Sequence, residues 1–176
     1  MTNYQLVPAI SSKDIETTVE ELARRINSDY EGKSLILVGI LKGAFIFLSD
    51  LARRLTVPVR VDFVRLASYG LDTETSGKIT ITKDIDLTVR DQHVLVVEDI
   101  VDTGTTLAWY MNHLKGSGAA SVSICALIDK KERRQIEIPL DYVGISVEKG
   151  FLVGYGLDYS ENHRNLPAIY EVRFNE

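Results

Sequence analysis

The chain has 176 residues, 45% of them hydrophobic and 26% charged, the usage of one ordinary globular domain, which excludes disorder or a coiled coil as its main structure. Lys and Arg number 20 against 25 Asp and Glu, a formal net charge of −5, so the field of the whole protein repels polyanions and argues against a nucleic-acid partner. The single cysteine, Cys125, rules out an intrachain disulfide and a cysteine-based zinc cage.

Residues 1–8 carry neither the basic segment nor the apolar run of a secretory signal, and no stretch approaches the ~18–20 apolar residues of a membrane span, so a soluble, cytoplasmic protein with no membrane partner is expected. Ser12 precedes Ile15, Val19, Leu22, Ala23 and Ile26 on one face, which predicts an amphipathic helix with a serine cap ending near Glu31 and Gly32. Residues 34–40 (SLILVGI) read as a buried strand. A second helical pattern follows through Phe45, Leu48, Leu51, Ala52 and Leu55, with Pro58 as its stop. Residues 59–66 (VRVDFVRL) read as a strand. Residues 70–78 (GLDTETSGK) combine glycines with small polar side chains and read as an exposed, mobile loop. Residues 93–97 (HVLVV) predict a buried strand, 106–115 a helix, 121–128 a second buried strand and 142–147 a third. Strands alternating with helices imply right-handed βαβ units and a mostly parallel sheet covered on both faces. The apolar Ile169 and Val172 predict that the C-terminus docks.

The segment most telling for chemistry is 94–107, VLVVEDIVDTGTTL. A buried strand reaches two acids, Glu98 and Asp99, turns through Asp102, Thr103, Gly104, Thr105 and Thr106, and enters a helix. Ligands of open parallel sheets bind beyond the carboxyl ends of the strands, and a helix N-terminus with free N–H groups holds phosphate. A phosphate cradle flanked by carboxylates suits a sugar phosphate with a Mg²⁺ ion. A plain helix cap is the competing reading. No Walker-type loop, dinucleotide fingerprint or kinase set is present. A receiver domain would need its paired acids after the first strand, whereas here a whole strand–helix–strand unit precedes them.

VLVVEDIVDTGTTL resembles the signature of the type I phosphoribosyltransferases, which bind 5-phosphoribosyl-1-pyrophosphate, and Asp102 resembles their hypoxanthine-guanine branch. Four more stretches follow the family order: GILKGAFIFLSDL (39–51) is similar to its pyrophosphate loop and helix, VDFVRLASYG (61–70) to the strand entering a lid, LIDKK (127–131) to the base-recognition region, and FLVGYGLDYSENHRNL (151–166) to the stretch bearing a stacking aromatic, a metal-linked acid and an arginine. The resemblance implies one domain over 1–176, with a parallel α/β core and a small hood formed by the N-terminal segment and about 140–176. It implies purine salvage: transfer of the phosphoribosyl group to N9 of hypoxanthine or guanine, yielding IMP or GMP and pyrophosphate, with Mg²⁺ and a homodimer or homotetramer.

By resemblance Asp102 is the acid/base group. Leu41, Lys42, Gly43 and Arg164 face pyrophosphate, with a cis bond between Leu41 and Lys42. Glu98 and Asp99 lie at the ribose hydroxyls, and the amides of 102–106 at the 5-phosphate. Ser68 and Tyr69 belong to the lid. Lys130, Phe151, Leu152 and Asp158 lie at the purine, and Glu98, Asp99 and Asp158 at the metal. Taken singly, these residues have plainer readings: Lys42 as a solvated lysine, Phe151 as core, Asp158 with Arg164 as a surface ion pair. Of the basic run Lys130, Lys131, Arg133 and Arg134, only Lys130 matches a family position, and the other three read as a solvated loop. Cys125 reads as a buried hydrophobe, and His93, His113 and His163 carry no assignment. Thr105 stands where some members have Lys, and Leu152 where Val is frequent. The alternatives on the same fold are an RNA-binding pyrimidine-operon regulator and a uracil phosphoribosyltransferase.

Overall fold

A computed structural model describes residues 4–69 and 78–175. Its centre is a six-stranded sheet of order β4-β3-β2-β5-β6-β7, built from β2 (Leu35–Leu41), β3 (Val59–Tyr69), β4 (Lys78–Lys83), β5 (His93–Val101), β6 (Ser121–Lys130) and β7 (Tyr142–Val147). All neighbours are parallel except β3 and β4. Helices α1 (Ser12–Asp29) and α2 (Phe45–Ala52) pack against one face, and α3 (Thr105–Gly116) against the other. In β5 this two-faced burial shows as strict alternation: Leu95 and Val97 point to the first layer, Val94 and Val96 to the second. Each fully buried aliphatic side chain contributes about 1.5–3 kcal/mol.

The five apolar residues predicted for α1 are its buried face. Its cap is Ser11, whose side chain accepts from the Asp14 amide, rather than Ser12, and it ends at Asp29, slightly before the expected turn. Helix α2 ends at Ala52, well short of Pro58. Leu55 packs on the same core from outside the helix, so the apolar spacing outlasts the helical backbone. Phe45, at the start of α2, is 44% exposed.

Three strands lie outside the core sheet. Strand β1 (Tyr4–Ile10) pairs antiparallel with β9 (Ile169–Phe174), which also pairs with β8 (Leu152–Val153). The C-terminus therefore docks as expected, with Ile169 and Val172 buried. Because β7 belongs to the main sheet, this hood begins after Val147 rather than near residue 140. Strand β5 runs on to Val101, so Glu98 and Asp99 lie within it. Cys125 is a free, buried thiol. The loop read over 70–78 lies outside the described residues apart from Lys78, and so do the side chains of Ser68 and Tyr69. Among the described residues no helix is long and apolar enough to cross a membrane.

Candidate active site

The sheet order reverses between β2 and β5: the chain winds from β2 outward to β3, and from β5 outward to β6 and β7. A crevice opens at such a switch point, beyond the carboxyl ends of the two strands. There a cavity of about 450 Å³ is bounded by the end of β2 (Leu41, Lys42, Gly43), by Glu98, Asp99 and Asp102, by Lys130 and Arg133, and by Phe151, Leu152, Asp158 and Arg164 of the hood. A smaller cavity of about 170 Å³ adjoins it, lined by Asp102, Thr103, Gly104 and Thr106. Nearly every residue singled out in the sequence is thus brought together. Among those whose side chains are described, Thr105 is the exception: its hydroxyl turns to Gln135 at 3.3 Å.

The 102–106 turn forms the smaller cavity because Gly104, the N-cap of α3, adopts a φ of 81° and has no side chain with which to cap the helix. The Thr103 hydroxyl takes the Thr105 amide at 3.4 Å. From the other side the turn is pinned by the segment after β6, where the Gln135 and Ile136 amides donate to the Thr103 carbonyl at 3.0 and 3.1 Å. A Cβ on Gly104 would press on the Ile136 carbonyl.

Arg134 does most to hold this arrangement. Its side chain is 9% exposed, ion-paired to Asp129 at the end of β6. It donates to the carbonyls of Asp102 at 2.9 Å, Val101 at 3.1 Å and Lys130 at 3.3 Å. The expectation of a solvated Arg134 is therefore wrong: the guanidinium is buried and ties the turn bearing Asp102 to the strand end bearing Lys130. Lys130 is likewise buried, with its Nζ 3.4 Å from Glu132.

The peptide bond between Leu41 and Lys42 is cis. Gly43 lies against the carboxylate of Asp99, which a Cβ there would overlap. Glu98 and Asp99 are adjacent carboxylates. Burial, followed by the charge of Asp99, drives Glu98 well above its ordinary value of 4.5, and burial also raises Asp99. The folded state retains a proton that the unfolded chain has released, so the pair costs stability as pH rises above the ordinary carboxylate range. Ligand-free Glu98→Gln is expected to melt above the wild type at neutral pH and to converge with it near about pH 4; thermal unfolding across that range checks this.

Asp102 is two residues before the N-cap. Its Oδ2 lies 3.6 Å from Nη1 of Arg133, and its Oδ1 is buried with no hydrogen-bond partner. Buried polar atoms are ordinarily paired, so an unpaired acceptor on a residue lining a ligand-sized cavity marks a group without its ordinary donor. Phe151 is 44% exposed and meets Tyr159 edge-on, at 5.5 Å between centroids and 86°, which leaves it available as a stacking surface rather than buried as core. Arg164 and Asp158 do form an ion pair, at 2.7 Å, and it is largely buried at the cavity wall.

Among the described residues no cluster of three or more side chains forms a metal cage. Asp158 is already engaged by Arg164 and by the Glu161 amide. The repelling Glu98–Asp99 pair is relieved by a cation, and Mg²⁺ is commonly held by one or two carboxylates together with substrate phosphates. These residues fit an ion that enters with a phosphorylated ligand.

A family model described as the phosphoribosyl transferase domain matches residues 10–160. The chain is 39% identical over 179 residues to a hypoxanthine phosphoribosyltransferase of Haemophilus influenzae, covering 100% of both. It is 43% identical over 164 residues to a hypoxanthine-guanine phosphoribosyltransferase of Aquifex aeolicus, covering 93% of this chain and 92% of the other. The fold superposes on a crystal structure of a hypoxanthine-guanine phosphoribosyltransferase from Bacillus anthracis with a TM-score of 0.88 at 40% identity, covering 94% of this chain and 97% of that one.

Proposed function

The chain belongs to the phosphoribosyl transferase family, and from that premise we propose that it is a purine-salvage enzyme moving the 5-phosphoribosyl group of phosphoribosyl pyrophosphate to N9 of hypoxanthine or guanine. The observation that carries this reading is the unpartnered Oδ1 of Asp102, a residue lining a cavity whose walls also include Lys130 and Phe151 together with Lys42 and Arg164. The first two suit a flat oxo-base and the other two a diphosphate.

In the reaction the bond from C1′ to the pyrophosphate oxygen breaks as N9 bonds to C1′, and the proton on purine N7 passes to the Asp102 carboxylate. Phe151 stacks on the purine, Leu152 meets it through backbone groups, and Lys130 donates to the 6-oxo oxygen. The 5-phosphate sits on the amides of the 102–106 turn. Glu98 and Asp99 hold the ribose hydroxyls, and Lys42, Arg164 and the backbone of 41–43 bind the leaving pyrophosphate. Glu98 and Asp99, with Asp158, would hold Mg²⁺, which supplies positive charge to the departing pyrophosphate. A homodimer or homotetramer in the cytoplasm completes the proposal.

Lys130 makes adenine a poor substrate, because a 6-amino group offers a donor to a donor. Lys130→Ala is expected to raise KM for hypoxanthine roughly ten- to a hundredfold, the loss of a charged hydrogen bond, with KM for phosphoribosyl pyrophosphate within a few-fold. Steady-state kinetics with each substrate varied separate the two. The function itself is tested by incubating the protein with phosphoribosyl pyrophosphate, Mg²⁺ and single bases. IMP and GMP are expected, and turnover of uracil alone would overturn the purine assignment.

A further inference from the structure

The two cations assigned to pyrophosphate face the same carboxylate in this structure. Lys42 Nζ lies 2.7 Å from Oε2 of Glu161, and Arg164 Nη2 lies 3.6 Å from that same oxygen. The backbone sets Glu161 there. Tyr159 and Asn162 exchange amide-to-carbonyl hydrogen bonds at 3.2 and 3.0 Å. Between them Ser160 and Glu161 adopt φ values of 49° and 64°, and the Glu161 amide donates to Asp158 at 2.8 Å. This tight turn projects the carboxylate toward the end of β2.

The two acids around Arg164 differ in kind. Asp158 is the less exposed partner, at 28% against 65% for the Glu161 side chain, and it is tied into the turn by the Glu161 amide. Glu161 reaches Lys42 and Arg164 only through the end of a flexible, solvent-facing side chain. It meets Arg164 only at Nη2, at 3.6 Å, and Arg164 Nε has no hydrogen-bond partner. A diphosphate brings more oxygens and more charge to the same two cations, and it repels a carboxylate left between them.

We propose that Glu161 is a displaceable anion occupying the diphosphate subsite of the empty enzyme. It keeps Lys42 and Arg164 aimed at the subsite, swings into solvent when a diphosphate enters, and returns as pyrophosphate leaves. This rests on the assignment of Lys42 and Arg164 to pyrophosphate made above. The Lys42 contact also holds the Glu161 carboxyl below the usual range, so it remains an anion at neutral pH. Because the competing pair is exposed, its effect is small: a few-fold in affinity rather than orders of magnitude.

Calorimetric titration of the full chain with pyrophosphate in the presence of Mg²⁺ tests the proposal. Glu161→Gln keeps the shape and removes the charge, and is expected to bind pyrophosphate about two- to fivefold more tightly than the wild type. The KM for phosphoribosyl pyrophosphate should fall in parallel, while the KM for hypoxanthine and the melting temperature stay unchanged. Glu161→Asp, one methylene shorter, should fall between them. Unchanged or weaker pyrophosphate binding in Glu161→Gln overturns the proposal and leaves the enzyme assignment intact. Absence of pyrophosphate binding by the wild type overturns both.

Discussion

Asp102→Asn should lose about 10²- to 10⁴-fold in kcat for hypoxanthine while KM for phosphoribosyl pyrophosphate changes little, because the substitution removes one function and spares the rest. Asn preserves the volume and the main-chain path of the turn, including the Asp102 carbonyl held by Arg134. The amides of the 102–106 turn, proposed to cradle phosphate, stay where they are. What disappears is the basic oxygen proposed to receive the N7 proton, so N9 would have to attack while N7 keeps its proton. Single-turnover nucleotide formation with both substrates saturating measures that step directly. An unchanged rate would remove Asp102 from the chemistry and leave it a helix-end residue.

The second large effect is expected at Arg134. Arg134→Ala leaves Asp129, whose side chain is 13% exposed, without its partner, and removes the donors to three carbonyls. Breaking a buried pair from one side costs about 3–5 kcal/mol, which in a domain of this length is a fall in Tm of roughly 6–20 °C. Arg134→Lys keeps the charge but not the fork, and should lie between Ala and wild type. Combining Arg134→Met with Asp129→Leu replaces both charges by apolar groups. That double variant should recover much of the stability but little of the activity, since the Val101 and Asp102 carbonyls still lack their donor. Recovery of both would confine Arg134 to a packing role.

Arg134 also shows where sequence reading stops. Four cations within five residues look alike on paper, and the charge pattern suggests solvent for three of them. Which one turns inward depends on Asp129 and on carbonyls more than thirty positions earlier in the chain, a tertiary fact with no local signature. Glu161 escaped notice for a related reason: an acid in a polar turn is unremarkable until the fold sets Lys42 opposite.

Elements with strong local signals were legible. Residues 142–147 form β7 as expected, and the periodicity of α1 named its buried face. Strand β1 did not announce itself: it is half-exposed and carries Pro8, and its partner β9 lies at the far end of the chain, so its stability comes from pairing rather than propensity. The acids at 98 and 99 argued for an early end to β5, but pairing of Ile100 with Ile128 and Val101 with Asp129 carries the strand past them. The site was legible to a greater degree than the fold's edges, because its residues cluster in short stretches at the ends of β2, β5 and β6 and in the hood.

The central claim is that these stretches converge on one purine and one phosphoribosyl pyrophosphate. A crystal structure of the full chain with Mg²⁺, phosphoribosyl pyrophosphate and an unreactive 6-oxopurine analogue tests it most directly. The expected result places an Asp102 carboxylate oxygen within hydrogen-bonding distance of purine N7, about 2.6–3.2 Å, with Lys130 at the 6-oxo oxygen, Phe151 over the ring and the 5-phosphate on the 102–106 amides. A purine bound elsewhere, such as the cavity of about 470 Å³ lined by Ile15, Ile46, Arg54 and Tyr155, with Asp102 facing no base, would contradict it.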